Sequence, residues 1–478
     1  MDWQFRKIED SQDWQRFEYI DMKQFVKKIH MVGIGGAGMC PLAEVLHAHG
    51  HRITGSDKIS SPATSRLESL GIKIQLNHTP DLVRDADLLV YSSAVKQENP
   101  ERVYAREHGI HEMRRAEVLG ELMRAHFTVC ISGTHGKTTT TSLVGEVFND
   151  AGLKPTVLVG GMLRSADSHA VVGKGNLMVA EADEYDRSFL AMYPSLAIIT
   201  NIEADHLDCY GSLQSIKEAF LRFTERIPFY GAVIVCSDDE GVRDILPSIQ
   251  RTVITYGLNS SADYTAEDIS FSRSSTSFTV KRKGEICGAV NLNLPGIHNV
   301  LNSLAVIAAA TEMGIEFGSI VSTLSAFQGV RRRFEIIAEA AGVTVIDDYA
   351  HHPAEIRATL DAARRSGYKR IVAVFQPHLY SRTRDLMEEF VRSLLGADLV
   401  FVTDIYKARE EAIPGVTSGT IVEKMAEIGH LQATYVACKE DVVDRLKNLV
   451  QEGDAVIMMG AGDIRDCAVK FAGEIANG

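Results

Sequence analysis

The sequence predicts an α/β protein of three consecutive domains, and three observations carry the prediction. The chain has 478 residues, enough for roughly three domains at about 150 residues each. Apolar runs of strand length alternate with stretches of helical periodicity along most of it. New strand-led units open at Phe127 and soon after residue 330. The expected division is therefore an N-terminal extension, 1–27, then domains 28–126, 127–330 and 331–478.

The first 25 residues mix acidic and basic side chains throughout, so they lack the apolar core of a secretory signal and read as an exposed extension. From Lys28 the strand IHMVGIG runs into a glycine-rich turn. Leu42, Val45 and Leu46 then recur at helical spacing up to Gly50, with Pro41 where a first helical turn tolerates it. The strands HRITGSD and DLLVYSSA follow, which makes a parallel βαβ unit and a Rossmann-like first domain. At Phe127 a strand passes through a Gly-containing loop into a helix (TVCISGTHGKTTTTSLVGEVFNDAG), as in a P-loop ATPase-like domain. NLMVAEADEYD, LAIITNIEADHLD and GAVIVCSDDE add further apolar strands with acidic residues at their ends. Between Tyr264 and Leu294, short alternating runs such as ISFS and SFTV have the pattern of added antiparallel strands. From Gly342, VTVIDDY, RIVAVFQ, LVFVTDIY and AVIMMGAGD alternate with helical stretches, a second Rossmann-like domain.

Hydrophobic residues make up 45% and charged residues 24%, with 12 prolines, as in a globular chain. No apolar stretch approaches the roughly 20 residues that a bilayer requires, so no membrane partner is expected. The net charge of −13 argues against nucleic acid as a partner, since a phosphate backbone needs a basic surface. The seven cysteines are odd in number and form no CxxC pair, as expected of reduced thiols in a cytoplasmic protein without a zinc site. Composition leaves monomer and homodimer both open.

GTHGKTT has the ingredients of a phosphate cradle. Gly133, Thr134, His135 and Gly136 let backbone N–H groups converge, Lys137 suits terminal phosphates, Thr138 suits a metal, and Thr139 continues the helix start. The spacing is GxxGKT, shorter than GxxxxGK[ST], and a strand–helix turn without function is the alternative. A nucleotide triphosphate needs a cation, and Mg²⁺ prefers oxygen ligands. Glu181, Asp183 and Glu184 follow one apolar strand and Asp205 and His206 another, at the ends where parallel sheets place ligands. Such clusters are also ordinary solvated loop starts.

In the first domain Gly33, Gly35, Gly36, Ala37 and Gly38 form a GxGGxG turn, with Asp57 lying 19 residues beyond Gly38. This is a dinucleotide site with Asp57 on a ribose, a backbone cradle for some other diphosphate, or a structural turn. The third domain offers DDYAHHP and FQPHLYSRTR, whose histidines and arginines suit anionic substrates or merely satisfy loop backbone. His298, Asn299 and Asn302 in LPGIHNVLNSLA either face a ligand or cap a helix, and the Arg331 to Arg333 run is a site element or a solvated charge run.

Taken in order, GIGGAGM, SGTHGKTTTT, EADEYDRSF, TNIEADHLDCY, LPGIHNVLNS, GVRRRFE, DDYAHHP, FQPH and GAGDI resemble the Mur ligases of bacterial peptidoglycan synthesis, from Lys28 to the C-terminus. The resemblance implies an ATP- and Mg²⁺-dependent ligase joining L-alanine to the carboxylate of UDP-N-acetylmuramate through an acyl phosphate. It implies Gly35, Gly36, Ala37 and Gly38 near the UDP diphosphate, with Asp57, Ser92, Ser93 and Ala94 close by. It implies Thr138, Glu181 and His206 around magnesium, His298, Asn299, Asn302 and Arg333 on ATP, and Asp183 and Asn201 on the muramate side. Tyr349, His351, His378 and Arg382 would face the amino acid and the acyl phosphate. Lys137, His206, His351 and Arg382 form the implied catalytic set, with His351 or His206 taking the amine's proton. Many relatives have Arg after FQPH, where this chain has Leu379, so Arg382 would carry more of the anion contact. The resemblance leaves open whether a lysine such as Lys217 is carbamylated.

Three other functions compete. A murein-peptide recycling ligase has the same fold and handle but a larger acceptor. An NAD-dependent oxidoreductase explains the GxGGxG turn but leaves the GKT loop and the acidic strand ends idle. A nucleotide switch would use the GKT loop without a substrate.

Overall fold

The computed structural model describes residues 26–163, 168–408 and 410–477; apart from residues 26 and 27, the expected N-terminal extension lies outside them. Among the described residues three sheets organise the chain, giving the α/β class expected.

The first sheet contains β1 (Lys28–Val32), β2 (Arg52–Ser56), β3 (Lys73–Gln75), β4 (Leu88–Tyr91) and β5 (His111–Arg114), in the order β3-β2-β1-β4-β5. Every neighbouring pair is parallel, so the carboxyl ends of the strands gather at one edge, where Gly33, Asp57 and Ser92 emerge. β1 is buried at four of its five positions, as a central parallel strand covered on both faces should be. Its one polar core residue, His30, is satisfied by Glu101 at 3.0 Å. That buried carboxylate also accepts from Ser56 (2.6 Å), Gln75 (3.0 Å) and His78 (2.9 Å). Burial pushes Glu101 up, but its donors outweigh burial and hold the carboxyl below its ordinary value.

The central sheet is built from β6 (Phe127–Ser132), β7 (Thr156–Leu163), β8 (Ser168–Val171), β9 (Leu177–Glu181), β10 (Leu196–Ile199), β11 (Ala232–Cys236) and β12 (Thr252–Gly257), in the order β12-β11-β10-β6-β9-β7-β8. β6 lies between β9 and β10 and runs parallel to both. The loop leaving β6 is therefore flanked by the two acidic strand ends, a neighbourhood that topology creates from segments distant in sequence. Beyond β12 the order continues through β13 (Tyr264–Phe271), β14 (Thr276–Arg282) and β15 (Glu285–Leu292). Their connections, residues 272–275 and 283–284, are too short for a parallel crossover, so these strands reverse direction.

The third sheet contains β16 (Glu335–Ala340), β17 (Val343–Asp348), β18 (Arg370–Phe375), β19 (Leu399–Val402), β20 (Ala433–Tyr435) and β21 (Asp454–Met459), in the order β16-β17-β21-β18-β19-β20. β16 and β17 are an antiparallel pair and the remaining pairs are parallel. The last strand, buried at all six positions, takes a central place.

By compactness the chain forms two units. Among the described residues, the first comprises those up to 265 with 281–287 and 302–324; the second comprises 266–280, 288–301 and those from 325 onward. Within the second, Asp348 ends β17 and organises the loop that follows. One carboxylate oxygen accepts from Ala350 N (2.8 Å), and the other from Phe334 N (2.9 Å) and Thr359 Oγ1 (3.2 Å). Asp348→Asn keeps the shape but turns an NH₂ toward one of these donors. The variant is expected to lose about 1–3 kcal/mol, the cost of an unsatisfied buried donor, read as a lower urea midpoint; an unchanged midpoint would show that these bonds contribute nothing.

Candidate active site

The phosphate loop follows from local backbone demands. Gly133 and Gly136 adopt φ of 134° and 83°, conformations open to glycine and costly for other residues. A Cβ on Gly133 would overlap Thr200 Oγ1, and one on Gly136 would come within 2.6 Å of Asn302 Oδ1. The loop opens the helix Lys137–Asp150, whose first N–H groups and dipole favour an anion. The segment leaving β10 grips the loop from one side. Thr200 Oγ1 donates to His135 O (2.6 Å), Asn201 Oδ1 accepts from His135 N (2.7 Å), and Asn201 Nδ2 donates to His135 O (3.1 Å). Thr134 N donates to Asn201 O (3.1 Å), and Glu203 N donates to Thr134 Oγ1 (2.9 Å). Asn201, expected on the muramate side, thus has both ends of its amide on His135's backbone.

Lys137 is gathered back over this loop. Its ammonium donates to Gly133 O (2.6 Å), Thr134 O (3.2 Å) and Glu184 Oε2 (2.7 Å), with Asp183 at 3.9 Å. Burial works against its charge, but Glu184, Asp183 and Glu181 outweigh burial and raise the lysine above its ordinary value. Burial pushes Glu184 up, to about 7, against the pull of Lys137.

The residues expected around magnesium divide into two groups. Thr138 Oγ1 donates to Glu181 (3.1 Å), which also accepts from Gly160 N (2.8 Å). His206 Nε2 instead lies 4.0 Å from Glu184 Oε1 and 3.8 Å from Asp205, with Tyr185 edge-on at 5.1 Å. Ligand atoms of Asp183, Glu184 and His206 lie within 4.8 Å of one another. Glu184 Oε1 is buried without a hydrogen-bond partner, and an oxygen so oriented fits a hard divalent cation. Lys217 Nζ pairs with Asp244 at 2.5 Å.

At the edge of the first sheet, Gly33 N and Ile34 N both donate to Ser56 O (2.8 and 3.0 Å). Asp57 accepts from Gly35 N (2.8 Å) through one oxygen and from Lys58 N (2.7 Å) through the other. The aspartate expected on a ribose is thus also the clamp of the glycine turn. A Cβ on Gly38 would stand 2.9 Å from the Arg115 guanidinium, an anion-binding group that sequence reasoning passed over. Ser92, Ser93 and Ala94 form the turn after β4.

The other expected residues belong to the second unit. His298 is driven down to about 4, first by burial and then by Arg333, and so stays neutral near pH 7. Asn299 Nδ2 donates to Pro295 O (2.8 Å) at its helix start. Tyr349, His351, His378 and Tyr406 form a chain of rings, with successive centroids 5.2, 5.9 and 5.8 Å apart. Arg333 lies over Tyr349 at 5.4 Å and reaches Glu355 at 3.4 Å. His351 Nδ1 faces Tyr349 O (2.9 Å) and Glu355 (3.2 Å), two acceptors, which puts a proton on Nδ1. Leu379 has φ 72° and precedes the helix Tyr380–Asp385, in which Arg382 is half-buried. Sequence reasoning also missed Arg332, whose guanidinium donates to Gly460 O (2.7 Å) and Gly462 O (3.1 Å); the run of three arginines concealed it.

Three family profiles match consecutive stretches: the Mur ligase family, catalytic domain (residues 28–127), the Mur ligase middle domain (131–310) and the Mur ligase, glutamate ligase domain (332–462). The UDP-N-acetylmuramate–L-alanine ligase of Sorangium cellulosum is 48% identical over 445 residues, 92% of this chain and 95% of that protein. The enzyme of the same name from Geotalea daltonii is 47% identical, covering 92% and 96%. Among solved structures, the UDP-N-acetylmuramate-alanine ligase of Thermotoga maritima is similar at a TM-score of 0.78 and 32% identity, covering 94% of this chain and 98% of that one. A murein peptide ligase from Psychrobacter arcticus follows at 0.68 and 26%, covering 94% and 99%.

Proposed function

The chain belongs to the Mur ligase family, and from that membership we propose that it joins L-alanine to the carboxylate of UDP-N-acetylmuramate with hydrolysis of ATP, in the cytoplasmic synthesis of peptidoglycan precursors. The observation that carries the reading is Lys137, held by two carbonyls of a phosphate-type loop and by Glu184, in a chain matching alanine ligases over 92% of its length.

Residues 28–126 take the UDP handle, the glycine turn, whose first N–H groups are held by Ser56 and Asp57, meeting the diphosphate at its Gly38 end beside Arg115. Residues 127–330 take ATP, and residues 331–478 the amino acid. Lys137 and the start of the helix Lys137–Asp150 hold the β- and γ-phosphates, so that the muramyl carboxylate attacks the γ-phosphorus and ADP leaves. Thr138, Glu181, Asp183, Glu184 and His206 are the residues that would hold Mg²⁺, which neutralises phosphate charge. The acyl phosphate formed gives the carboxyl carbon a leaving group, and the alanine amine displaces phosphate after losing a proton. His351 accepts that proton on Nε2, with Tyr349 O and Glu355 fixing its tautomer.

Phosphate release with Mg-ATP and UDP-N-acetylmuramate tests this, comparing L-alanine, glycine, L-serine and a tripeptide. L-alanine is expected to support the fastest turnover. Turnover with the tripeptide alone would instead make the chain a recycling ligase.

A further inference from the structure

The acidic run that follows β11 has no part in the chemistry above, yet its second aspartate is tied to the phosphate loop by a short chain of bonds. Asp239 caps the helix Glu240–Ile245 by accepting from Val242 N (2.8 Å), and the same oxygen accepts from Ile202 N (3.0 Å). Two residues on, a Cβ at Gly241 would overlap the Ile202 carbonyl oxygen, so only glycine lets the helix start approach that close. Both backbone polar groups of Ile202 thus face the 239–241 segment. Those of its neighbours face the other way: Asn201 O accepts from Thr134 N and Glu203 N donates to Thr134 Oγ1, while the Asn201 side chain holds the His135 backbone. A trans peptide points its C=O and N–H to opposite sides, so the two peptides flanking Ile202 each face the 239–241 segment with one end and Thr134 with the other, and what fixes Ile202 fixes the grip of Asn201 and Glu203. Asp239 is half-buried, and burial pushes its carboxyl above the ordinary value despite the two N–H donors.

We infer that Asp239 is a positioning residue for the phosphate loop, acting through Ile202 on the two residues that hold Thr134 and His135. The inference rests on reading that loop as the ATP site. It separates two roles within one acidic run, because Asp238 serves a different neighbour by accepting from Leu258 N (2.6 Å).

The test is calorimetric titration of the full-length chain with Mg-ADP, together with KM for ATP and for UDP-N-acetylmuramate. Asp239→Ala should weaken Mg-ADP and raise KM for ATP by about tenfold, the equivalent of one lost buried hydrogen bond, without changing KM for the sugar nucleotide. Asp239→Asn should stay near wild type, since an amide oxygen still accepts both bonds. Gly241→Ala keeps the carboxylate but displaces Ile202, so it should resemble Asp239→Ala. It also decides the matter should Asp239→Ala fail to fold. Wild-type Mg-ADP affinity in either folded variant would overturn the inference, as would equal losses in Asp239→Asn and Asp239→Ala or an equal rise in both KM values. A wild-type chain that binds UDP-N-acetylmuramate but not Mg-ADP would instead remove the ATP assignment, and the inference with it.

Discussion

Replacing Lys137 by alanine should lower ATP-dependent phosphate release on the order of 10³-fold, the range for losing a preorganised charge at a developing anion. The fold should survive, since the loop keeps its bonds to Thr200, Asn201 and Glu203. The variant should nevertheless acquire a pH-dependent weakness. Glu184 already sits at about 7 against the pull of Lys137, and losing the ammonium raises it further. A carboxyl with a raised value in the folded state binds its proton more tightly folded than unfolded. Its contribution is fully present below the unfolded value and is lost as pH rises through the folded one. The thermal-midpoint deficit of Lys137→Ala relative to wild type should therefore widen from pH 6 to pH 8. Near-normal turnover would remove Lys137 from the mechanism, and a deficit that narrows with rising pH would contradict its pairing with Glu184.

The largest stability loss is expected at Arg465. Its guanidinium meets Glu335 (2.6 Å) and the fully buried Asp347, which Arg332 approaches at 3.7 Å. Burial pushes Asp347 up, while Arg332 and Arg465 pull it back. Arg465→Ala leaves two carboxylates largely buried beside one remaining arginine, and breaking a buried pair in this way costs about 3–5 kcal/mol. Arg465→Lys should recover only part, because an ammonium cannot fork between two carboxylates. Urea denaturation measures both; a midpoint for Arg465→Ala within error of wild type would show that Arg332 suffices alone.

Features set by neighbouring residues were legible in the sequence, and those set by distant pairing were not. GTHGKTT could be read as a strand–loop–helix cradle because its glycines, lysine and helix start lie within seven residues. The grip of Thr200 and Asn201 on His135 could not, since it spans about 65 positions and depends on β10 pairing beside β6. The division of Glu181 and His206 between two groups arises in the same way. Asp239 was hidden because an acidic strand end looks alike whether it faces water or a backbone N–H. The third domain's alternation of strands and helices was plain, but the central seat of β21 was not, because strand order leaves no local trace. Asp57 was marked as important by its distance from the glycines, yet its bond to Gly35 N is a property of the turn's shape.

The division into two compact units crosses the chain at 265, 280, 287, 301 and 324. A ribosome delivers residues from the N-terminus onward, and domains generally fold as they emerge. Here the first unit remains incomplete until residue 324 has left the exit tunnel. By then residues 266–280 and 288–301 have already been exported, and they must wait for most of the remaining chain before their own core exists. Nascent chains stalled shortly after residue 301 should therefore be the ones most dependent on chaperones.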